Sequence, residues 1–281
     1  MALALPSFNS DWKDGKQVKP RMYVLEIRDR DKPDSDPIAS LFIERQETYR
    51  RDERDGSIYE ASICLSYERI VPKHPFHVKS NSYFSGGYSR GFANMPSVSL
   101  TSESTARGAV FLDLPNLEGQ RIGTYLMNEI VQWVRQWPEA NVRPVELLSG
   151  QAYDENRERR NRFYEQFGLV FDYHDPEQRE GLSKPILAAA LTPVETWKQN
   201  IRERNARDYL GEVLYERNQL QFELLQSKRG IENLSAEIRR AEERPARWAL
   251  RRLWWRTAPL IGQFAFLLIL CAMAWSAWKF G

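Results

Sequence analysis

The chain has 281 residues, 42% of them hydrophobic and 28% charged, an ordinary globular balance with room for one medium domain and additions. Forty basic residues stand against 38 acidic ones, a formal charge of +2, which excludes a global basic field directed at nucleic acid. Two cysteines, Cys64 and Cys271, and three histidines, His74, His77 and His174, suit neither a disulfide framework nor a metal site; Pro72 and Pro75 keep His74 and His77 off one helix face, and they are expected in a loop.

The first residues, MALALPSFNSDWKDG, have an apolar run without a basic flank, ended early by Pro6 and Asp11. It is too short for a secretory core, and 1–18 are expected to be a flexible arm. The stretches 22–27, 38–44 and 58–70 are rich in aromatic and β-branched residues and predict strands, with 76–84 a further candidate. The glycine- and serine-rich 85–97 predict a loop. A short apolar run, 109–114, suits a buried strand. Then 118-EGQRIGTYLMNEIVQWV-134 predicts a turn and an amphipathic helix with Ile122, Leu126, Ile130 and Val134 on one face. A strand over 142–149, a helix over 154–168 with Asp154 near its cap and Gly168 past its end, and strands over 169–173 and 185–191 complete an α+β (mixed α/β) domain over 19–193.

From 194 to 243 the chain is nearly free of Gly and Pro, and rich in Glu, Arg, Gln and Leu. Two seven-residue series run through it: Leu210, Arg217, Leu224, Ile231 and Ile238, and Val213, Leu220, Ser227, Leu234 and Ala241. Seven of these ten positions are Leu, Ile or Val, as in a coiled-coil seam. A helical stalk is expected, with 210–241 meeting a second copy or a partner helix; the alternative is a long amphipathic helix folded back on the domain. Gly230 weakens its middle by about 1 kcal/mol relative to Ala.

Residues 244–257 are basic, and 258–278 are 21 residues without a charge. About 20 apolar residues let a helix cross the hydrocarbon core. Trp254 and Trp255 on one side, with Trp275 and Trp278 on the other, suit interfacial belts. Arg244, Arg247, Arg251, Arg252 and Arg256 precede this segment and only Lys279 follows it, so the expectation is a tail-anchored, single-pass protein with its N-terminal domain in the cytoplasm.

The turn before the first helix is suited to an anion. The first N–H groups of a helix lack internal partners, the dipole adds partial positive charge, and Gly119 and Gly123 allow close approach to a phosphate or diphosphate. With the second helix the pattern sharpens. EGQRIGTYLMNEI and RRNRFYEQFGLVF, about forty residues apart with a strand between, resemble the Gcn5-related N-acetyltransferase family over 109–191. In that family the first segment is the acetyl-CoA diphosphate loop, Gln/Arg-x-x-Gly-x-Gly/Ala, and the second ends in Phe-Tyr-x-x-x-Gly-Phe. Here Gly123 takes the place of the second glycine, Arg121 that of the first, and Glu118 that of the basic or amide residue.

The resemblance implies a central mixed sheet flanked by helices, acetyl-CoA as co-substrate, an amine acceptor and no metal. It implies main-chain contacts to the coenzyme from Leu112 and Leu114 and from Gly119, Gln120, Arg121, Ile122, Gly123 and Thr124, with Asn156 or Asn161 as a further contact. It implies Tyr164 as the general acid, since a phenol can protonate the departing thiolate. Asp113 is the candidate base by its position before the loop. The implied reaction is direct attack of an amine on the thioester. The competing expectation is a weakly active or inactive membrane adaptor of the same fold, acting through its coiled coil, for which the departures at Glu118 and Arg121 speak.

Overall fold

The structure, a computed structural model, describes residues 11–13, 16–19, 21–70, 82–91, 95–103, 114–153, 156–255 and 275. The chain divides into two compact units, Met1–Gly211 and Glu212–Gly281. In chain order the first unit contains β1 (Asp11–Lys13), β2 (Lys16–Val18), β3 (Met22–Ile27), β4 (Ala39–Arg51), β5 (Ile58–Arg69), β6 (Ser82–Ser89) and β7 (Ser97–Ser99). The helix α1 (Ile122–Val134) comes next, then β8 (Asn141–Val142), β9 (Glu146–Leu147), α2 (Asn156–Glu165), β10 (Phe171–Tyr173), β11 (Gly181–Ser183) and β12 (Ile201–Asn205). The longest helix, α3 (Ala206–Glu243), follows directly.

Among the described residues a seven-stranded sheet has the order β12-β3-β4-β5-β6-β7-β8, and a three-stranded sheet the order β10-β11-β9. All pairings in the large sheet are antiparallel except β7 with β8, which is parallel. This mixed sheet with helices is the α+β class expected from the sequence.

Alternation builds the sheet's core face. Ala61, Ile63, Leu65 and Tyr67 of β5 are buried at every second position, as a period of two demands. Opposite them stands α1, with eleven of its thirteen residues buried. Fully burying each Leu, Ile or Val contributes about 1.5–3 kcal/mol. The buried Glu129 in this apolar helix is paired with Lys19 at 2.7 Å, and Lys19 also reaches Glu203 at 2.6 Å, so the burial leaves no lone carboxylate.

Several expectations are corrected. Part of the expected arm is the hairpin β1–β2. The first five residues of the expected loop over 85–97 belong to the strand β6, and its glycines serve close packing: a Cβ on Gly86 would lie 2.7 Å from Ile130 Cγ2, and one on Gly87 2.3 Å from the Glu103 carbonyl oxygen. The single strand over 142–149 is two, β8 and β9, in different sheets; Pro144 between them has no N–H to continue a ladder. The strand over 185–191 is replaced by one bridge, Asn141 to Leu187, and a 3-10 turn, Ala188–Ala190. The helix over 154–168 is shorter, Asn156–Glu165, and Gly168, at φ 88°, closes it by donating its N–H to the Glu165 carbonyl at 2.9 Å.

The helical stalk does not begin at 194. A 3-10 turn, Thr196–Gln199, and β12 come first, because Ile201 enters the core and 201–205 pair with β3 along its whole length. From Ala206 onward the helix forms as expected. In the second unit Leu220, Leu224, Ile231, Leu234 and Ile238 of α3 are all exposed, and a further helical stretch runs over 245–255. Among the described residues no helix is long and apolar enough to cross a membrane; the segment 258–278, apart from Trp275, lies outside them, as do 71–81 with His74 and His77, and 104–113 with Leu112 and Asp113.

Candidate functional site: an arginine-walled cleft

Three residues with positive φ shape the turn before α1: Asn116 at 65°, Gly119 at 78° and Arg121 at 63°. The turn is pinned by Leu117, which is 3% exposed. The Leu117 N–H donates to the Leu114 carbonyl at 3.1 Å, and the Gln120 N–H to the Leu117 carbonyl at 3.3 Å. Arg121 is the N-cap residue of α1 and offers no side-chain cap. A non-glycine residue in the left-handed region costs roughly 1–2 kcal/mol, and Arg121 bears that cost at the helix start. The first in-helix bond runs from the Tyr125 N–H to the Arg121 carbonyl at 2.9 Å. The N–H groups of Ile122, Gly123 and Thr124 have no acceptor among the described residues.

Asn200 holds the turn from behind. It is 1% exposed; its Nδ2 donates to the carbonyls of Arg28 and Gln120, each at 3.1 Å, and its Oδ1 accepts from Arg121 Nη1 at 3.2 Å. The Gln120 side chain faces the same way, its Oε1 accepting the Arg30 N–H at 2.8 Å. The Gln120 and Arg121 side chains are thereby each tied to the scaffold by a hydrogen bond.

That open side is a cleft of about 950 Å³. Gly119, Gln120, Arg121, Ile122, Gly123 and Thr124 line one wall, and Asn156, Phe163 and Tyr164 of α2 line the other. The two walls are tied where they meet, Gln166 Nε2 donating to Thr124 Oγ1 at 3.3 Å. Six arginines line the cleft, Arg30, Arg121, Arg157, Arg159, Arg160 and Arg162, against two glutamates, Glu118 and Glu158. Arg160 is structural: it is buried and donates to the carbonyls of Leu148 at 2.7 Å and Arg179 at 2.9 Å. Arg159 donates to Asn156 Oδ1 at 2.9 Å. The Arg162 side chain has no hydrogen bond or ion pair among the described residues, so its guanidinium is available to a ligand.

Tyr164 is 8% exposed and packs edge-on against Phe163 and Phe171. Burial pushes its phenol up to about 12, with the nearby Arg160 opposing; the group is protonated at neutral pH and able to donate. Its hydroxyl has no hydrogen-bond partner among the described residues.

The candidates separate as follows. The residues of the turn, Asn156 and Tyr164 share the cleft. Asn161 does not line it: its Nδ2 donates to the Gln178 carbonyl at 3.0 Å and its Oδ1 accepts from Arg160. Leu114 is half-buried on the core beside the turn. Leu112 and Asp113 lie outside the described residues. Sequence reasoning missed Asn200, Gln166 and the arginines of α2; the density of RERRNR over 157–162 was the available signal for the last. Among the described residues no group of His, Cys, Asp and Glu side chains is arranged to hold a metal ion.

No family model matches the chain, and no curated protein matches it. A solved structure of a domain from Methanocaldococcus jannaschii matches over 52% of this chain and 99% of that one, at 10% identity and a TM-score of 0.27, a likeness too low to carry an argument about fold or function.

Proposed function

We propose that the protein is a membrane-tethered, acetyl-CoA-dependent N-acetyltransferase of the Gcn5-related kind. The observation that carries this proposal is the shared cleft: unpaired helix N–H groups at 122–124, a set of arginines and a protonated phenol border one space. Its volume of about 950 Å³ lies in the range of ligand clefts, about 300–1,000 Å³. Charge-assisted bonds from Arg to phosphate are the strong ones, and helix N–H groups suit a diphosphate. The coenzyme's phosphates would lie on the turn and Arg162, directing the thioester toward Tyr164.

In the reaction the acceptor amine attacks the thioester carbon, the amide C–N bond forms and the C–S bond breaks. The Tyr164 hydroxyl protonates the thiolate as it leaves. Asp113 is the proposed base for the amine proton. The segment 258–278 would span the membrane once, with the N-terminal domain on the cytoplasmic side, and α3 would raise that domain and pair with a second copy through 210–241. The acceptor's identity is open to any amine that reaches the cleft.

Titrating the full chain, in detergent, with acetyl-CoA tests this proposal. A micromolar Kd, followed by thiol release with amines, is expected; no binding overturns it. Tyr164→Phe is expected to lower kcat by 10²–10⁴-fold, the range for a positioned acid, with the Kd for acetyl-CoA unchanged. Equal kcat values across pH would remove Tyr164 from the chemistry.

A membrane adaptor is the second candidate. It is favoured by the exposed apolar series on α3, where Leu220, Leu224, Ile231 and Leu234 are each more than 60% exposed, a stripe that demands a partner. Acetyl-CoA binding without turnover over an amine panel is the outcome that would favour it.

A further inference from the structure

Charge is segregated along the chain. After Glu243 the sequence holds six basic residues, Arg244, Arg247, Arg251, Arg252, Arg256 and Lys279, and no acidic one. The 243 residues before it therefore carry 34 basic against 38 acidic side chains, from totals of 40 and 38. The small overall charge conceals an acidic body and a wholly cationic end.

That end begins with its own helix. The helix α3 closes at Glu243, Arg244 is a bend, and Pro245 opens the helical stretch over 245–255. Proline suits a first helical position because its missing N–H would lack a partner there anyway. At 100° per residue, Ala246, Ala249, Leu250, Leu253 and Trp254 fall within an arc of roughly 140°. Arg244, Arg247, Arg251 and Arg252 occupy the remaining arc, with Trp248 and Trp255 among them. Leu250, Leu253, Trp254 and Trp255 are 67%, 61%, 65% and 70% exposed, and all four arginines are exposed. None of these arginines has a carboxylate partner among the described residues. The Arg252 guanidinium lies 4.9 Å from the Trp248 ring centre, so even this contact leaves its N–H groups available.

We infer that the helical stretch over 245–255, with Arg244 before it, is a membrane-surface helix that selects anionic phospholipid headgroups. A helix with one apolar face and one strongly basic face, carrying Trp, lies in the plane of the interface. Four to eight basic residues directly beside a span are what an anionic leaflet attracts. Continuity with the uncharged 258–278 places this helix at headgroup depth; the stretch itself holds no acidic residue, and Glu237 and Glu242 of α3, which border the same pocket as Trp248 and Arg252, form no ion pair with its arginines among the described residues. The headgroup depth rests on reading 258–278 as a span; the preference for anionic lipid rests on the helix itself and is independent of the acetyltransferase chemistry. Its consequence is lateral: the domain would be concentrated in regions of the membrane rich in anionic lipid, whatever its acceptor.

The test uses the full chain reconstituted in phosphatidylcholine vesicles that carry a trace of dansyl-labelled phosphatidylglycerol or, in parallel, dansyl-labelled phosphatidylcholine. Energy transfer from tryptophan to the label is measured. Transfer to phosphatidylglycerol should exceed that to phosphatidylcholine at least twofold in dilute buffer. The ratio should fall toward one in 0.5 M salt, and also when Arg244, Arg247, Arg251 and Arg252 are all changed to Gln. Equal transfer to the two lipids overturns the inference, as does a preference that neither salt nor the four-fold variant alters. Displacement of the phosphatidylglycerol signal by an RNA oligomer at equal phosphate concentration would assign the arginines to nucleic acid instead and overturn it too. If the chain fails to enter neutral vesicles yet binds anionic ones and leaves them in alkaline carbonate, the span is wrong and the surface helix stands.

Discussion

Two helices of this protein carry apolar residues at helical spacing and meet opposite fates. In α1 eleven of thirteen residues are buried; in α3 only Ala206 among thirty-eight is buried. The difference lies in what each has beside it. Facing α1 is a sheet whose Gly86 leaves room for Ile130, and Glu129 finds Lys19. The series along α3 repeats every seven residues, is flanked by charges of both signs, and meets no sheet: its apolar members stay exposed. An apolar stripe alone therefore says that a helix will be covered, and the surrounding chain says whether the cover is internal.

The largest expected effect separates the two helices. Leu126→Ala in α1, at a site with no exposure, should lower stability by about 2–5 kcal/mol, seen as a lower urea midpoint at any protein concentration. Leu224→Ala in α3, 70% exposed, should leave the first unit's midpoint within about 0.5 kcal/mol and lower the sedimentation coefficient of the full chain in detergent. Equal losses at both sites would break the comparison.

Next in size is a ligand effect at the open end of α1. Arg162→Ala should weaken acetyl-CoA binding about tenfold, as expected for one charge-assisted bond, and leave the melting temperature unchanged. The contrast is sharpened if Arg217→Ala, on α3, leaves binding untouched.

Alkali should distinguish the units as well. Burial raises the Tyr164 phenol to about 12, and burial with the Glu165 contact raises Tyr173 to about 12. A phenol whose folded value is raised contributes stability below the unfolded value near 10, and that contribution is lost as pH rises through the folded value. Lys19 acts in the same direction: burial alone would lower it, but the carboxylates of Glu129 and Glu203 outweigh burial and raise it. The near-ultraviolet signal of the first unit should therefore be lost between about pH 10 and pH 12, while far-ultraviolet helicity from α3 persists longer.

The smallest expected effect is at the turn. Arg121→Gly relieves a left-handed residue but removes the contact with Asn200. The two oppose each other, and the net change in stability should stay within about 1 kcal/mol by thermal denaturation.

Local pattern made much of this legible. The aromatic and β-branched content of 22–27 and 58–70, the period of 122–134, and the long helix after 206 each declare themselves through neighbours a few residues away. Gly119 and Gly123 marked the turn, and RNRFYE marked Tyr164. What misled was also local: Gly86 and Gly87 suggested a loop because nothing within the sequence window shows Ile130 and the Glu103 carbonyl crowding them. The segment 194–205 passed for helix because its partner, β3, lies far earlier in the chain.

The sequence by itself determined the class of the elements, the uncharged segment near the C-terminus and the cationic stretch before it, since periodicity and charge are properties of adjacent residues. Only the tertiary structure decided that Asn200 would clasp the turn, that Gln166 would join it to α2, and that Tyr164 would border the same cleft as the helix N–H groups. Those contacts join residues some forty to eighty positions apart, and bringing them together depends on packing of the whole core, which no short stretch of chain can specify.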